Sequence, residues 1–491
     1  MKIVFIKPNM GLVNGAPYDD HGRMEPLTFG VLAGITPPQH ETVLYDDRFE
    51  CLPFEEDMDL VAINTEIYTA RRAYEIADRF RNRGIPVALG GFHTTLIPEE
   101  SMEHADAVVL GDAEPVWERL LLDLEKGRLK RRYLGSFGGR ATGGRGGGRG
   151  APDKSWAPRV GGCSAPDLQS SLLTGIHTDW SIFKGKKYLP VRLTQFSRGC
   201  VNQCEYCATG NIYRQHHACR PVDEVLRELS EVGARFVFFV DDNLIANKEL
   251  ARELFRRLKP MRIRWFGQAD LSFAADPAFM ELMLESGCSG LVVGFESLDQ
   301  RNLVQMQKNC NLGFDTYDPM VEAIRRSGLM LWAAFLLGYD NETPESVKAT
   351  CDWALSKKFA FSAFNILMPY PGTPLYARMK KEGRLLYDGR WWLHDDYRFG
   401  MPGMRPLNCS PDELARACLD ARRRHSSIPS IFRRAFDRKT NMKDAWSLAT
   451  YFSYNPLFRD EMLKKHGMVL GYRGIERPRS VELLGKGAEP V

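Results

Sequence analysis

The stretch that decides the fold of this 491-residue chain is FSRGCVNQCEYC, residues 196–207. It places Cys200, Cys204 and Cys207 at the spacing C-x3-C-x2-C. A structural zinc ion needs four ligands and usually takes two C-x2-C pairs, so it would require a distant fourth ligand such as Cys219 or His216. A four-iron cluster bound by three thiolates instead leaves one iron open to a substrate or cofactor. The spacing favours the cluster.

The cysteines follow the first of six predicted strands that alternate with helices. The strands are 191–197, 236–242, 263–268, 291–297, 330–337 and 362–368, and the helices are 222–232, 248–258, 277–286, 317–327 and 344–357. Six βα units form either an open α/β sheet or an incomplete (β/α) barrel. In both architectures chemistry occurs at the carboxyl ends of the strands, which is where the cysteine loop falls.

The first 135 residues show a second strand–helix alternation. Predicted strands are 2–8, 42–47, 60–65, 86–91 and 107–112, and predicted helices are 27–36, 71–83 and 115–125. This order predicts a doubly wound parallel sheet, whose ligands lie at the carboxyl ends of the strands. The loops at those ends, 8–10, 64–69, 90–95 and 111–114, are rich in glycine and polar residues. The region is therefore predicted to hold a cofactor.

The central region resembles the radical S-adenosylmethionine enzymes. The resemblance rests on CVNQCEYC (200–207), VDDN (240–243), Gln268, GFES (294–297) and PYPGTPLY (369–376). It departs from the family pattern at VDDN, where the usual Gly-Gly-Glu is missing. The resemblance implies that Cys200, Cys204 and Cys207 are the catalytic cluster ligands. It also implies that the S-adenosylmethionine contacts are Tyr206, Asp241, Asp242, Gln268, Glu296, Ser297 and Met368, with the two aspartates binding the amine.

The N-terminal region resembles the cobalamin-binding domains that precede some of these cores, through MEPLTFGVLAG (24–34), GGFHTTLIPEE (90–100) and GDAEPVW (111–117). The cobalt-ligating D-x-H-x-x-G motif of other cobalamin proteins is absent, which fits this class. The implied cobalamin contacts are Asn9, Asn64, Thr65, Glu66, Tyr68, Gly90, Gly91, His93, Thr94, Gly111, Asp112 and Glu114. A structural loop role for His93 and a degenerate sheet without a ligand are the alternatives.

The predicted fold class is α/β. We expect a cobalamin-binding Rossmann-like domain (1–135), a Gly-rich linker and irregular connector (136–190), a radical S-adenosylmethionine (β/α)6 core of partial TIM-barrel type (191–385) and a helical C-terminal region that caps the substrate (386–491). Ser410-Pro411-Asp412-Glu413 predicts a helix start, with Ser410 as N-cap.

The resemblance implies three cofactors: a 4Fe–4S cluster, S-adenosylmethionine and cobalamin. The expected reaction is reductive cleavage of S-adenosylmethionine, hydrogen abstraction from an unactivated carbon of a small or lipid-like metabolite, and methyl transfer from cobalamin. The family also contains non-methylating enzymes that catalyse cyclisation, ring contraction or hydroxylation. A flavodoxin- or ferredoxin-type reductant is the implied partner.

The remaining composition restricts the alternatives. A formal net charge of +4 does not indicate wholesale binding to nucleic acid or membrane, and no signal peptide or membrane-spanning run is evident, so we expect a soluble, cytoplasmic protein. The eight cysteines outside the cluster are interpreted as buried thiols. Residues 135–150, GSFGGRATGGRGGGRG, read as a flexible linker or as an RGG-type RNA-binding segment.

An RNA-modifying protein is the remoter hypothesis. The tRNA methylthiotransferases share the core signature, but they carry a second cysteine triad and a C-terminal β-barrel, whereas residues 1–135 contain only Cys51. The C-terminal region instead holds aromatic segments (391–392, 432–436, Trp446 and 451–455) and five arginines (422–424 and 433–434). If these share one pocket, they predict a lipid-like or polycyclic substrate with an anionic group.

Overall fold

The computed structural model describes residues 1–137, 140–141, 171–214, 216–312 and 317–477. In the N-terminal unit the strands are β1 Lys2–Lys7, β2 Gly11–Val13, β3 Ala16–Pro17, β4 Glu41–Asp46, β5 Leu60–Asn64, β6 Val87–Gly90, β7 Ala107–Leu110 and β8 Arg132–Leu134. The helices are α1 Leu27–Gly34, α2 Ala70–Arg81, α3 Phe92–Leu96, α4 Pro98–Glu103 and α5 Glu114–Glu125, with a 3-10 turn at Ile67–Thr69.

Six of these strands form one parallel sheet in the order β4-β1-β5-β6-β7-β8. Successive residues of β1 pack into different cores: Val4 and Ile6 face one side, and Ile3 and Phe5 face the other. A parallel sheet buried on both faces needs the near-continuous apolar strands that the sequence shows. The doubly wound fold is confirmed, with β8 as a sixth strand that was not predicted.

The connector contributes β9 Ser136–Phe137, β10 Arg140–Ala141, β11 Ser171–Leu172 and the 3-10 turn Trp180–Phe183. The Gly/Arg-rich stretch falls mostly outside the described residues.

The core strands are β12 Arg192–Thr194, β13 Ser197–Gly199, β14 His217–Cys219, β15 Phe236–Phe239, β16 Arg264–Gln268, β17 Cys288–Glu296, β18 Met330–Leu337 and β19 Phe361–Ile366.

The core helices are α6 Ala208–Tyr213, α7 Val222–Glu231, α8 Lys248–Leu258, α9 Pro277–Glu285, α10 Gln300–Gln305, α11 Asp318–Ser327, α12 Pro344–Ser356 and α13 Pro374–Lys381, with 3-10 turns at Lys259–Met261, Leu271–Ala275 and Asn309–Asn311. The core sheet is parallel in the order β12-β15-β16-β17-β18-β19. Its two edge strands, β12 and β19, do not pair with each other among the described residues. The core is therefore the partial six-stranded barrel that was expected.

The C-terminal region is helical, with a 3-10 turn Tyr387–Gly389 and helices α14 Pro411–His425, α15 Ile428–Ala435 and α16 Ala445–Lys465. The predicted capping box is present: Glu413 N–H donates to Ser410 Oγ at 3.2 Å, and Ser410 N–H donates to Glu413 Oε2 at 2.8 Å. The chain then returns to the N-terminal unit, where β20 Val469–Leu470 pairs with β2. No helix within the described ranges is both long and apolar enough to cross a membrane.

Candidate active site

The three cysteines lie in the loop between β13 and α6, and this loop is anchored at Glu205. The Glu205 N–H donates to the Met306 carbonyl at 3.0 Å, and the Glu205 carbonyl accepts from the Leu375 N–H at 3.1 Å. Its carboxylate pairs with Arg378, 2.7 Å from Oε1 to Nη2. These contacts tie the loop to segments that follow β17 and β19, so the barrel itself positions the thiols.

The pKa values of the three thiols reflect their burial. Burial raises the pKa of Cys200, Cys204 and Cys207, that of Cys204 to about 12, and the Lys308 ammonium opposes the rise. Thiols bind metals as thiolates, so binding requires additional positive charge at this point. Across the described residues, no three His, Cys, Asp or Glu side chains are close enough to hold a single ion. Three soft sulfur donors on one loop fit a cluster, whose iron corners take one thiolate each.

Glu296 joins the fourth core strand to the cysteine loop. It has a positive φ of 64° at the end of β17, where the pairing register with β18 shifts. Its Oε1 accepts from the Tyr206 hydroxyl at 3.0 Å and lies 3.1 Å from Lys308 Nζ. A left-handed backbone is costly for glutamate, so the surrounding structure must hold it there. Tyr206 and Glu296, two of the predicted S-adenosylmethionine contacts, are thus hydrogen-bonded to each other, and Lys308 contacts the same carboxylate.

Lys308 and Cys310 are the site residues that sequence reasoning missed. Burial raises the pKa of Cys310 to about 11, and it interacts electrostatically with Lys308 and Cys200. Cys310 was interpreted with the other scattered cysteines as a buried thiol, but it is only half-buried and lies beside the cluster loop. The available signal was its position in the polar loop after the fourth strand, where barrels carry active-site residues.

The two aspartates after β15 contact the segment before the cysteines. Asp241 is fully buried, and its carboxylate accepts from the Phe196 N–H at 3.1 Å and the Ser197 hydroxyl at 2.6 Å. Asp242 accepts from the Gly199 N–H at 3.1 Å and the Thr209 hydroxyl at 2.9 Å. Both therefore hold the cysteine loop in this structure, and their predicted amine-binding role stays a prediction.

The remaining predicted S-adenosylmethionine contacts lie at strand ends. Gln268 is the last residue of β16 and its carbonyl accepts from the Leu244 N–H at 2.9 Å. Ser297 is buried, with its hydroxyl oxygen 3.3 Å from Asn302 Nδ2. Met368 follows β19 and lines a cavity at the barrel mouth, described below. Their roles also stay predictions.

A first cavity, of about 550 Å³, lies between the N-terminal sheet and the core. Nine of the predicted cobalamin contacts line it: Asn64, Glu66, Tyr68, Gly90, Gly91, His93, Gly111, Asp112 and Glu114. The core supplies further lining residues that the sequence did not indicate, among them Gln195, Arg198, Ile212 and Tyr213. The volume is within the range of small-molecule and cofactor sites.

Three predicted contacts do not line the first cavity. Asn9 is buried, and its side-chain amide donates to the Tyr18 carbonyl at 2.6 Å and to the Tyr472 hydroxyl at 2.9 Å. Thr65 and Thr94 are fully buried. Asn9 therefore packs the N-terminal loop against the returning C-terminus, a contact that local sequence cannot reveal.

Gly91 allows the loop after β6 to fold close to its neighbour. Its φ is 100°, and a Cβ there would lie 2.7 Å from Asn64 Oδ1 and 2.8 Å from the Thr65 carbonyl oxygen. Only glycine adopts this conformation at such a close approach. The GG of GGFHTT thus shapes the cavity wall.

Two acidic residues of the first cavity, Asp112 and Glu114, pair with an arginine of the core. Arg198 Nη2 lies 2.6 Å from Glu114 Oε1, and Arg198 Nη1 lies 3.3 Å from Asp112 Oδ1. The Tyr213 hydroxyl donates to Asp112 at 2.9 Å. Burial opposes ionisation of both carboxyls, but Arg198 lowers the pKa of Glu114 below its ordinary value. The core thus holds the predicted cofactor loop in place.

His93 belongs to a buried network that reaches the C-terminal region. His93 Nε2 lies 2.9 Å from Glu100 Oε1 and 3.0 Å from the Tyr74 hydroxyl. Glu100 also accepts from Trp392 Nε1 at 3.0 Å and from Arg390 at 2.8 Å. Burial raises the pKa of Glu100, but His93 and these donors outweigh it and lower the value to about 2. His93 is therefore both a cavity residue and a structural one.

A second cavity, of about 310 Å³, opens at the barrel mouth. It is lined by Tyr206 of the cysteine loop, by residues at the ends of β18 and β19, and by C-terminal residues that include Tyr397 and Arg422. Tyr68 and Tyr370 line both cavities, so the two adjoin.

The predicted aromatic and basic residues of the C-terminus do not all share this cavity. Phe432 and Phe436 are exposed, and Tyr451 packs with Phe361 in a separate apolar cluster that does not line this cavity. Arg424 pairs with Asp352, and Arg434 donates to the carbonyls of Phe359 and Ala360 at 2.7 and 2.9 Å. Of the five arginines named from the sequence, the described cavity wall includes only Arg422.

Comparison with known proteins identifies the class. The Radical SAM superfamily model matches residues 194–354. The chain is 30% identical over 382 residues to bacteriochlorophyllide d C-8(2)-methyltransferase of Chlorobaculum tepidum, a match that covers 74% of this chain and 79% of the relative. It is 22% identical over 474 residues to the anaerobic magnesium-protoporphyrin IX monomethyl ester cyclase of Cereibacter sphaeroides, covering 88% and 71%.

Among solved structures, the radical S-adenosylmethionine methyltransferase TsrM of Kitasatospora setae, with cobalamin and a 4Fe–4S cluster bound, matches with a TM-score of 0.57 at 19% identity, covering 78% of this chain and 75% of that one. This likeness shows a shared fold. The fold and the cysteine loop define a radical S-adenosylmethionine enzyme. The chain belongs to the cobalamin-dependent radical S-adenosylmethionine family.

Proposed function

We propose that this enzyme is a C-methyltransferase that uses a 4Fe–4S cluster, S-adenosylmethionine and cobalamin to methylate an unactivated carbon of a small or lipid-like metabolite. When bound, the cluster and S-adenosylmethionine supply the hydrogen-abstracting radical, and cobalamin supplies the methyl group. The observation that carries the proposal is the junction of the two cavities at Tyr68 and Tyr370, beside Tyr206 of the cysteine loop. A substrate carbon at this junction is within reach of both cofactor sites.

The chain's own residues provide placement and exclusion of water. Cys200, Cys204 and Cys207 would hold the cluster, with Glu205 and Arg378 fixing the loop that bears them. Residues of the first cavity would hold cobalamin, with Arg198 joining that cavity to the core. Positioning of this kind contributes much of the rate of an enzyme whose cofactors carry the chemistry.

The test is anaerobic reconstitution of the full chain with iron, sulfide and cobalamin, followed by their quantification. With S-adenosylmethionine and a flavodoxin- or ferredoxin-type reductant, the wild type is expected to form 5′-deoxyadenosine. Zinc in place of iron would overturn the proposal. Bacteriochlorophyllide d, the substrate named for the relative, is the first compound to assay.

The second candidate is a non-methylating reaction with the same cofactors, such as cyclisation, ring contraction or hydroxylation, and the cyclase relative favours it. S-adenosylhomocysteine formed in step with 5′-deoxyadenosine supports methyl transfer. 5′-Deoxyadenosine and an altered substrate without S-adenosylhomocysteine would support the second candidate. An RNA-modifying role has no support from the described residues.

A further inference from the structure

The second cavity contains one positively charged side chain, Arg422 of α14. The capping box at Ser410 begins α14, and the helix packs along β19 so that Arg422 faces the cavity wall. Its Nε donates to the Phe364 carbonyl at 2.7 Å, which fixes the direction of the side chain. This single hydrogen bond leaves four of the five guanidinium N–H donors for other partners.

Arg422 has no acidic partner within the described parts of the chain. Among residues 1–137, 140–141, 171–214, 216–312 and 317–477, no carboxylate lies within 4 Å of its guanidinium, whereas Arg424 on the same helix pairs with Asp352. The side chains that influence Arg422 electrostatically are Cys418, Tyr68 and Tyr397, and burial lowers its pKa. Arginine nevertheless stays charged in proteins. A largely enclosed cation without a counter-charge is unfavourable unless a ligand supplies the charge.

Three tyrosines lie beside Arg422 and add neutral donors. Burial raises the pKa of Tyr68, Tyr370 and Tyr397, and Tyr68 interacts with the other two. Their hydroxyls are therefore protonated at neutral pH. Trp391 packs against all three rings, with centroid distances of 5.0, 6.2 and 5.0 Å respectively, so the hydroxyls are held in place. A guanidinium and several hydroxyl donors form the complement of an oxyanion.

The remaining wall of the second cavity is mostly apolar: Leu336, Ile366, Leu367, Met368, Phe399 and Met401. A ligand that fits this cavity has an apolar body and a single anionic group. The resemblance implies that the carboxylate of S-adenosylmethionine lies at Glu296 and Ser297, after the fourth core strand, and neither residue lines the second cavity. The implied cobalamin contacts lie mainly in the first cavity. The substrate is therefore the remaining source of an anion in the second cavity.

We infer that Arg422 binds the carboxylate or phosphate of a largely apolar substrate at the barrel mouth and so determines the substrate class. The inference rests on the proposed function in one respect: the ligand of the second cavity is taken to be the substrate of the proposed reaction. Arg422 is a recognition residue that contacts substrate away from the reacting carbon.

The test compares two probes with the same aromatic body. 8-Anilino-1-naphthalenesulfonate carries an anion and N-phenyl-1-naphthylamine does not, and both are titrated by fluorescence into the anaerobically reconstituted full chain. Because charge-assisted hydrogen bonds contribute about 1.5–3 kcal/mol, the wild type is expected to bind the anion at least about tenfold more tightly. Arg422→Gln is expected to reduce this preference to about twofold or less, and Arg422→Lys to an intermediate value.

Arg423→Gln is the matched control, because Arg423 is exposed on the same helix and does not line the cavity. It is expected to keep the wild-type preference. Displacement of the anionic probe by 1-naphthoate indicates a carboxylate site, and displacement by 1-naphthyl phosphate indicates a phosphate site. Neutral 1-naphthamide is the control and is expected to show no preference between the two probes.

An unchanged preference in Arg422→Gln, at wild-type Tm and iron content, would overturn the inference. So would an equal loss in Arg423→Gln. The titration requires no turnover, so an absence of 5′-deoxyadenosine would overturn the proposed function while leaving the anion preference intact. Conversely, if the enzyme turns over and Arg422→Gln keeps the wild-type preference for the anionic probe, the inference about Arg422 is wrong and the proposed function stands.

Discussion

The two cavities adjoin at Tyr68 and Tyr370, yet their charged groups are balanced in different ways. In the first cavity Arg198 binds both Asp112 and Glu114, and Glu66 pairs with Lys7. Asp242, which also lines it, accepts hydrogen bonds from the Gly199 N–H and the Thr209 hydroxyl. In the second cavity Arg422 has no acid among the described residues. Paired charges stabilise a site before its ligand arrives, whereas an unpaired charge selects for a ligand that completes it. The proposed function expects this difference between a cofactor site in the first cavity and a substrate site in the second.

The largest effect is expected from a substitution in the cysteine loop, and it exceeds those expected from substitutions in either cavity. Cys204→Ala should abolish formation of 5′-deoxyadenosine, by at least about 1,000-fold, because the cluster loses one of its three thiolates. Iron and sulfide content, with the visible absorbance of the reconstituted protein, should fall together. Cys219→Ala is the control, since Cys219 is buried on β14 and is not one of the three clustered thiols, and metal loss in that variant would favour zinc.

The second prediction breaks the pairing in the first cavity. Arg198→Gln leaves the buried Asp112 and the half-buried Glu114 without their cation. Removal of one partner from a fully buried pair costs about 3–5 kcal/mol, which is the upper limit here. The thermal midpoint of the full chain should fall by several degrees, and cobalamin retention should fall with it. Arg132→Gln breaks the exposed pair with Glu99 and an exposed contact with the Met102 sulfur, and should change stability by about 0.5 kcal/mol or less. Equal effects of the two variants would contradict a preorganised cavity.

The third prediction concerns pH. The pKa of Glu100 is lowered to about 2, so its ionised form contributes stability above about pH 4.5 and this contribution disappears as pH falls toward 2. Glu100→Gln should therefore destabilise the protein at neutral pH by roughly 3 kcal/mol. The difference in Tm between wild type and variant, followed by circular dichroism, should shrink between pH 4.5 and 2. A constant difference over that range would show that Glu100 does not titrate there.

The smallest effect is expected from a substitution of Tyr206, which belongs to the cysteine loop and lines the second cavity. Tyr206→Phe removes one hydrogen bond to Glu296, which keeps its contact with Lys308. The expected loss of stability is about 1 kcal/mol, with unchanged iron content. Lys308→Met should have the larger effect, because it leaves Glu296 buried without a cation. The reverse order of the two variants would mean that the hydroxyl, and not the ammonium, holds Glu296.

Much of the architecture could be predicted from local patterns. The five N-terminal strands and the six core strands are apolar runs bounded by polar loops, so their existence follows from burial on both faces of parallel sheets. The cysteine spacing identified the cluster loop, and nine of twelve predicted cobalamin contacts line the first cavity. One of the three exceptions, Asn9, contacts Tyr472, more than 400 positions away, and no local pattern encodes that contact.

The sequence by itself determined the two sheets, the three-cysteine loop and the ends of the strands at which polar residues gather, because each depends on neighbours along the chain. Only the tertiary structure decided which charges meet. It paired Arg198 with Glu114 across a domain boundary, placed Lys308 and Cys310 beside the cysteines, and left Arg422 as the one C-terminal arginine of the predicted five in the barrel mouth. Electrostatic pairing depends on distance in space and burial, and both are set by packing between elements.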